Sequence, residues 1–228
     1  MRGRFAAICL ALLASHANLY ADNLEVSGMG VGSFSIPVTS MKEARFKATL
    51  RQQYDFSCGS AALATLLSYH YGQVVSEQVV FEKMFAAGDQ EKIRKEGFSL
   101  LDMKNYLKTY GYEADGFELP LRTLQEAALP AIVLVSDKGY QHFVVVKGLQ
   151  DGRILLGDPS GGSRAMSIPA FEAIWSNKVL FVIHNQRQMA KFNQVADWQA
   201  MPKAPIGQGL NLDGSGFMAL DKLGPSDF

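Results

Sequence analysis

The sequence predicts an α+β fold, with N-terminal helices packed on a mostly antiparallel sheet. Apolar residues recur with a period near 3.6 between residues 58 and 110, and with short-strand spacing between 131 and 184. Asp151-Gly152 separates two strand-like runs and reads as a hairpin turn. Helices first and hairpin-linked strands afterwards indicate α+β rather than alternating α/β.

The elements follow in order. Residues 22–48 are rich in Gly, Ser and Val at first and charged later, and predict an extended arm with one strand and a short connector. Residues 58–71 predict a helix with Ala61, Ala62, Leu63, Leu66, Leu67 and Tyr69 on its apolar face, ended by Gly72. Ser57 is its candidate N-cap, or Gly59 ends the turn that leads in. Ser76 opens a second helix with Val79, Val80, Met84 and Phe85 inward, and polar residues 86–95 predict a loop. Ser99 with Asp102 has the form of a capping box before a helix over 100–110. Residues 112–117 give a weak strand signal, and 121–128 a short helix before Pro130. Strands are predicted over 131–135, 142–149 and 153–158, with a turn at Asp137-Lys138-Gly139. Ser167 and Pro169 open a helix to Trp175, and 179–184 is a last strand. Pro and Gly then accumulate, so 187–228 predicts a tail, mobile or laid over the surface.

Bulk properties narrow the function. Hydrophobic residues make up 48% of 228, enough for a real core, and 22 basic residues balance 22 acidic ones. Nothing in that balance points to nucleic acid, and the sequence has no phosphate-binding loop of the Gly-x-x-x-x-Gly-Lys-Ser/Thr type. Residues 1–21 read as a secretory signal: Arg2 and Arg4 precede an apolar run over 5–14 that is too short to span a bilayer. Cleavage after Ala21 is favoured over Ala17, and an uncleaved anchor is disfavoured by the short run. A periplasmic protein with no remaining membrane segment is expected. Its charge would be −2, from 20 bases against 22 acids, and Cys58 would be its only thiol, because Cys9 leaves with the signal. A lone cysteine in an exported chain cannot form an internal disulfide, and is either reactive or inert and buried.

The surroundings of Cys58 favour reactivity. A thiol at a helix start meets unpaired N–H groups and the positive end of the dipole, and both favour the nucleophilic thiolate. Gly59 would let a substrate backbone approach. A glutamine a few residues upstream can donate to an oxyanion. Such a thiol needs an imidazole partner held by an acceptor. His70 lies one helix length away, roughly 18 Å at 1.5 Å per residue. His142 opens a strand just after a turn and is the preferred base; His184, which ends the last strand, is the fallback. His142 and Asp158 bracket the hairpin at Asp151-Gly152, so they can lie side by side, although Asp158-Pro159-Ser160-Gly161 would also form an ordinary turn. No zinc-ligand spacing is present, and neither a metal nor a cofactor is expected.

Three segments together resemble the C39 family of papain-like cysteine peptidases: Gln52-Gln53-Tyr54-Asp55-Phe56-Ser57-Cys58-Gly59, His142-Phe143-Val144-Val145-Val146-Lys147-Gly148 and Leu156-Gly157-Asp158-Pro159. Gly97 to Met103 is similar to the family's middle helix, and the resemblance defines a peptidase domain over 49–186. It implies a papain-like fold, a triad of Cys58, His142 and Asp158, and an oxyanion glutamine at Gln52, with Gln53 as the competing assignment. It also implies cleavage after a double glycine in exported substrates. The chain departs from the pattern in having Ser57 where an acid is usual, and in lacking transporter helices. As a whole it is similar to the stand-alone C39-type peptidases of bacterial functional-amyloid secretion, which implies amyloid subunits or other secretion components as partners. Acyl transfer on the same triad and a non-cleaving binding module are the alternatives. Gly161-Gly162 would allow self-cleavage, but a glycine-rich turn is the simpler reading.

Overall fold

The computed structural model describes residues 23–27, 33–37, 40–137 and 139–199; the predicted signal, much of the arm and the tail beyond Gln199 lie outside them. The chain divides at Ser40 into two units. In the first, β1 (Asn23–Ser27) and β2 (Ser33–Pro37) form an antiparallel hairpin with Asn23 opposite Pro37, so the arm holds two strands rather than one.

The second unit begins with α1 (Met41–Arg45) and α2 (Cys58–Thr65). Every residue of α2 is buried, so the predicted apolar face is wrapped on all sides. Its axis continues as a π-helical turn over Leu66–His70, and Gly72 ends it at φ +71°. Ser57 occupies the N-cap position without capping. Its hydroxyl turns back to donate to the Tyr54 carbonyl at 3.0 Å and accepts from the Tyr54 amide at 3.1 Å.

Ser76 caps α3 (Glu77–Ala87) through the Val79 amide. Val80 and Met84 face inward as predicted, whereas Val79 is exposed. The predicted loop over 86–95 is largely a helix, α4 (Gln90–Glu96): Asp89 caps it through the Lys92 amide, and Ile93 is its one buried side chain. The Ser99–Asp102 capping box is fully formed at α5 (Leu100–Thr109).

The remaining elements are β3 (Ala114–Phe117), α6 (Arg122–Ala127), β4 (Ala131–Asp137), β5 (Tyr140–Gln150), β6 (Arg153–Asp158), β7 (Gly162–Ser167), α7 (Ile168–Ile174), β8 (Leu180–Ile183) and α8 (Val195–Gln199). β5 starts two residues before His142, and β7 forms where the sequence gives no strand signal. Among the described residues the sheet is six-stranded and antiparallel, in the order β3-β8-β4-β5-β6-β7. Side chains alternate across it. Ile132, Phe143, Val145, Phe181 and Ile183 pack with α2, α3 and α5, while Val133, Val135, Val144 and Val146 pack with α6 and α7. No helix among the described residues is long and apolar enough to cross a membrane.

Residues 187–199 are tied to the sheet and to the end of α2. Asn193 brackets Leu149, its carboxamide oxygen accepting from the Leu149 amide at 2.7 Å and its NH₂ donating to the Leu149 carbonyl at 3.0 Å. This occurs at a bulge between Val146 and Gly148, where a Cβ on Gly148 would strike Asn193. Asp197 pairs at 3.0 Å with Lys147, which is fully buried and also donates to the Ala48 carbonyl at 3.0 Å.

Candidate active site

Cys58 is the first residue of α2, and only 9% of it is exposed. The start of α2 sits against the start of β5. An added Cβ on Gly59 would lie 2.9 Å from both Met103 Cε and Phe98 Cβ, and 3.6 Å from Phe143. Gly59 therefore faces the protein interior and permits close packing of α2 against α5 and the turn before it, rather than opening a path for substrate as the sequence suggests.

Burial pushes the Cys58 thiol up from its ordinary value, opposed by the backbone N–H groups of Phe143, Gly59 and Cys58 itself. The helix-start amides thus act in the expected direction, but desolvation outweighs them.

His142 is 4% exposed and pairs across the sheet with Val135. Its Nε2 lies 3.0 Å from Asp158 Oδ2. With Nε2–H donating to the carboxylate, Nδ1 carries the free lone pair, and it is buried without a hydrogen-bond partner. Because the Phe143 N–H acts on the Cys58 thiol, the start of β5 carries the residue after His142 to the neighbourhood of α2's first residue.

The Asp158 carboxylate is enclosed by donors. Oδ1 accepts from the Ser160 hydroxyl at 2.6 Å, the Ser160 amide at 2.9 Å and the Gly161 amide at 3.4 Å. Oδ2 faces His142 and, at 3.2 Å, Arg164 Nη2. Arg164, on β7, approaches as an ion pair without hydrogen-bond alignment, and its Nη1 lies 3.6 Å from Asp137. Burial alone would raise the carboxyl, but His142 and the Ser160 donors outweigh it and hold Asp158 well below the usual carboxylate range. Asp158 is ionised at neutral pH.

The two glutamines differ. Gln53 is exposed. Gln52 is half-buried and its amide N–H donates to the Pro159 carbonyl at 3.1 Å, tying the loop before Cys58 to the turn after Asp158. Its side-chain Nε2 donates to the Tyr54 carbonyl at 3.2 Å, so it must turn to serve an oxyanion.

The other histidines stand apart. Ile132 pairs with Phe181, so His184 lies beyond the Ala131 end of β4, whereas His142 is opposite Val135 towards the other end. His184 Nε2 contacts Asp115 at 2.9 Å. His70 is fully buried, with Nδ1 2.6 Å from the Lys191 carbonyl. Among the described residues no group of three or more His, Cys, Asp or Glu could hold a metal ion.

Sequence reasoning overlooks Ser160, Arg164 and Tyr140. Ser160 was within reach, because Asp-x-Ser favours a local side-chain turn. Arg164 becomes visible only once β6 and β7 are paired, and Tyr140 only once β5 is seen to begin at residue 140.

Comparison with known proteins completes the picture. The chain is 38% identical over 181 residues to the probable functional amyloid protease FapD of Pseudomonas fluorescens, covering 79% of this chain and 80% of that one. It is 41% identical over 146 residues to the probable functional amyloid protease FapD of Pseudomonas aeruginosa, covering 64% and 65%. Among solved structures, the peptidase domain of Streptococcus ComA, a bi-functional ABC transporter involved in quorum sensing, superposes with a TM-score of 0.50 at 24% identity, covering 60% of this chain and 97% of that domain. That likeness establishes the fold. The profile of the peptidase C39 family matches residues 47–187, and the chain belongs to that family.

Proposed function

We propose that the chain is a periplasmic cysteine endopeptidase that processes an exported protein in functional-amyloid secretion or assembly, with Cys58 as nucleophile, His142 as base and Asp158 as its orienting acceptor. One observation carries the reading. A buried His142–Asp158 contact of 3.0 Å leaves Nδ1 without a hydrogen-bond partner, on the strand residue next to Phe143, whose backbone N–H acts on the Cys58 thiol at the start of α2. The relatives' description as probable functional amyloid proteases supports the setting.

In this reading Nδ1 takes the Cys58 proton and the thiolate attacks a peptide carbonyl carbon. The oxyanion is met by a backbone N–H at the start of α2 and by the Gln52 side chain. His142 returns the proton to the departing amine, leaving a thioester. It then takes a proton from water as the water attacks the thioester carbon, and gives a proton to the sulfur as the C–S bond breaks and the acid product leaves. Asp158 stays ionised throughout, fixing the tautomer and stabilising the imidazolium. Cleavage after Gly-Gly is the specificity we assign.

The test is incubation of the signal-free protein with a proteome-derived peptide library, with new termini read by mass spectrometry. Cleavage by the parent and none by Cys58→Ala or His142→Ala supports the proposal. Cleavage that survives Cys58→Ala refutes it, and cross-linked products without hydrolysis point to acyl transfer instead.

A further inference from the structure

We infer that Tyr140 is a positioning residue for the site, its ring backing the His142 imidazole and its hydroxyl fastening the loop that precedes Cys58. The inference rests on the assignment of His142 as base. Tyr140 is the first residue of β5, two positions before His142, and its side chain is half exposed. The two rings stack with centroids 5.3 Å apart and an interplanar angle of 25°. The Tyr140 hydroxyl donates to the Asp55 carbonyl at 3.0 Å. One side chain therefore touches the base and reaches across 85 positions of sequence to the loop that runs into α2.

Two consequences follow from elementary chemistry. An aromatic face within about 6 Å of a cation stabilises it, so the ring favours the imidazolium that appears when Cys58 loses its proton. A stacked ring also restricts rotation of the imidazole, which Asp158 holds through one nitrogen only. The hydroxyl, for its part, fixes the backbone at Asp55, between the Gln52 side chain and Ser57, whose own bonds to Tyr54 close the same turn. The other charged or titratable groups around the imidazole are Asp158 from β6, Arg164 from β7, Asp137 at the end of β4, Cys58 at the start of α2 and Asp55 in the loop. Replacing Tyr140 with an uncharged residue removes none of these groups.

The experiment needs no substrate. The rate of Cys58 alkylation by iodoacetamide is followed against pH for the parent, Tyr140→Phe, Tyr140→Leu and His142→Ala, alongside amide hydrogen exchange of residues 53–57. Tyr140→Leu fills the space without a π face. Its alkylation profile is expected to move up by about half a pH unit, which is about threefold in rate at a fixed pH below the midpoint. Tyr140→Phe should restore the parent profile while the loop amides exchange several-fold faster. A parent-like profile in Tyr140→Leu overturns the role of the ring, and unchanged exchange in Tyr140→Phe overturns that of the hydroxyl. If His142→Ala also keeps the parent profile, the assignment of the base fails, which is a separate outcome. A merely structural role would lower thermal stability in both Tyr140 variants without moving the pH midpoint of either.

Discussion

His70 should make the fold sensitive to mild acid. It closes the π-helical turn after α2, is fully buried, and its Nδ1 lies 2.6 Å from the Lys191 carbonyl. Nε2 is buried with no partner. Protonating Nε2 would create an unsatisfied N–H and a charge away from water, with the buried Lys147 ammonium adding repulsion. Burial is the main cause and lowers the group to about 4, although the Lys191 carbonyl works against it. The unfolded chain takes up this proton near 6.5, so between the two values the unfolded state binds more protons. Stability is complete above pH 6.5 and is lost as pH falls towards 4, by about 3 kcal/mol for a shift of roughly two and a half units. The perturbation is His70→Asn, whose side-chain NH₂ can replace Nδ1–H but cannot titrate. Urea unfolding of both proteins at about pH 7, 5.5 and 4 reads the difference. The parent should lose about 3 kcal/mol more than His70→Asn across that range. Parallel losses in the two proteins would refute the reasoning.

Three further outcomes follow from the packing. Gly59→Ala should destabilise the fold by about 1–3 kcal/mol in chemical denaturation, because the new methyl meets Met103 and Phe98 at 2.9 Å. Asp158→Asn should slow peptide cleavage almost as much as Asp158→Ala. Donors surround both carboxylate oxygens, so the NH₂ of Asn faces either the Ser160 amide or His142 and Arg164. Asp197→Ala should lower stability by about 3–5 kcal/mol by leaving the Lys147 ammonium buried without its anion, whereas Lys147→Met with Asp197→Leu should be close to neutral. Thermal unfolding separates the single variant from the double.

The legible parts of the fold are those where one short stretch carries the whole signal. The Ser99–Asp102 box is local, and so is the Asp151-Gly152 turn that fixes the register of β5 with β6 and brings His142 to Asp158. Elements held by a single contact or a neighbour's edge stay hidden. α4 has one buried residue, Ile93, among charged ones. β7 has no β-branched residue and exists because β6 offers it an edge, with Asp158 opposite Gly162. Ser57 misleads because its hydroxyl is already used by the Tyr54 turn, and Gly59 because its neighbours, Phe98, Met103 and Phe143, come from other parts of the chain. Arg164 reaches the site only through strand pairing, and Tyr140 because β5 begins two residues before His142, ahead of the apolar run that signals the strand. Lys147 looks like a surface position from its sequence, since nothing near it announces Asp197, fifty residues later.

The bracket that Asn193 forms on Leu149 bears on how the peptidase can be cut out of the chain. The family match stops at residue 187. A fragment trimmed to that point would expose both backbone groups of Leu149, remove the acceptor for His70 at Lys191 and strip Lys147 of Asp197. The smallest portable unit therefore runs to Gln199. The bulge at Gly148 is the socket into which its last dozen residues plug.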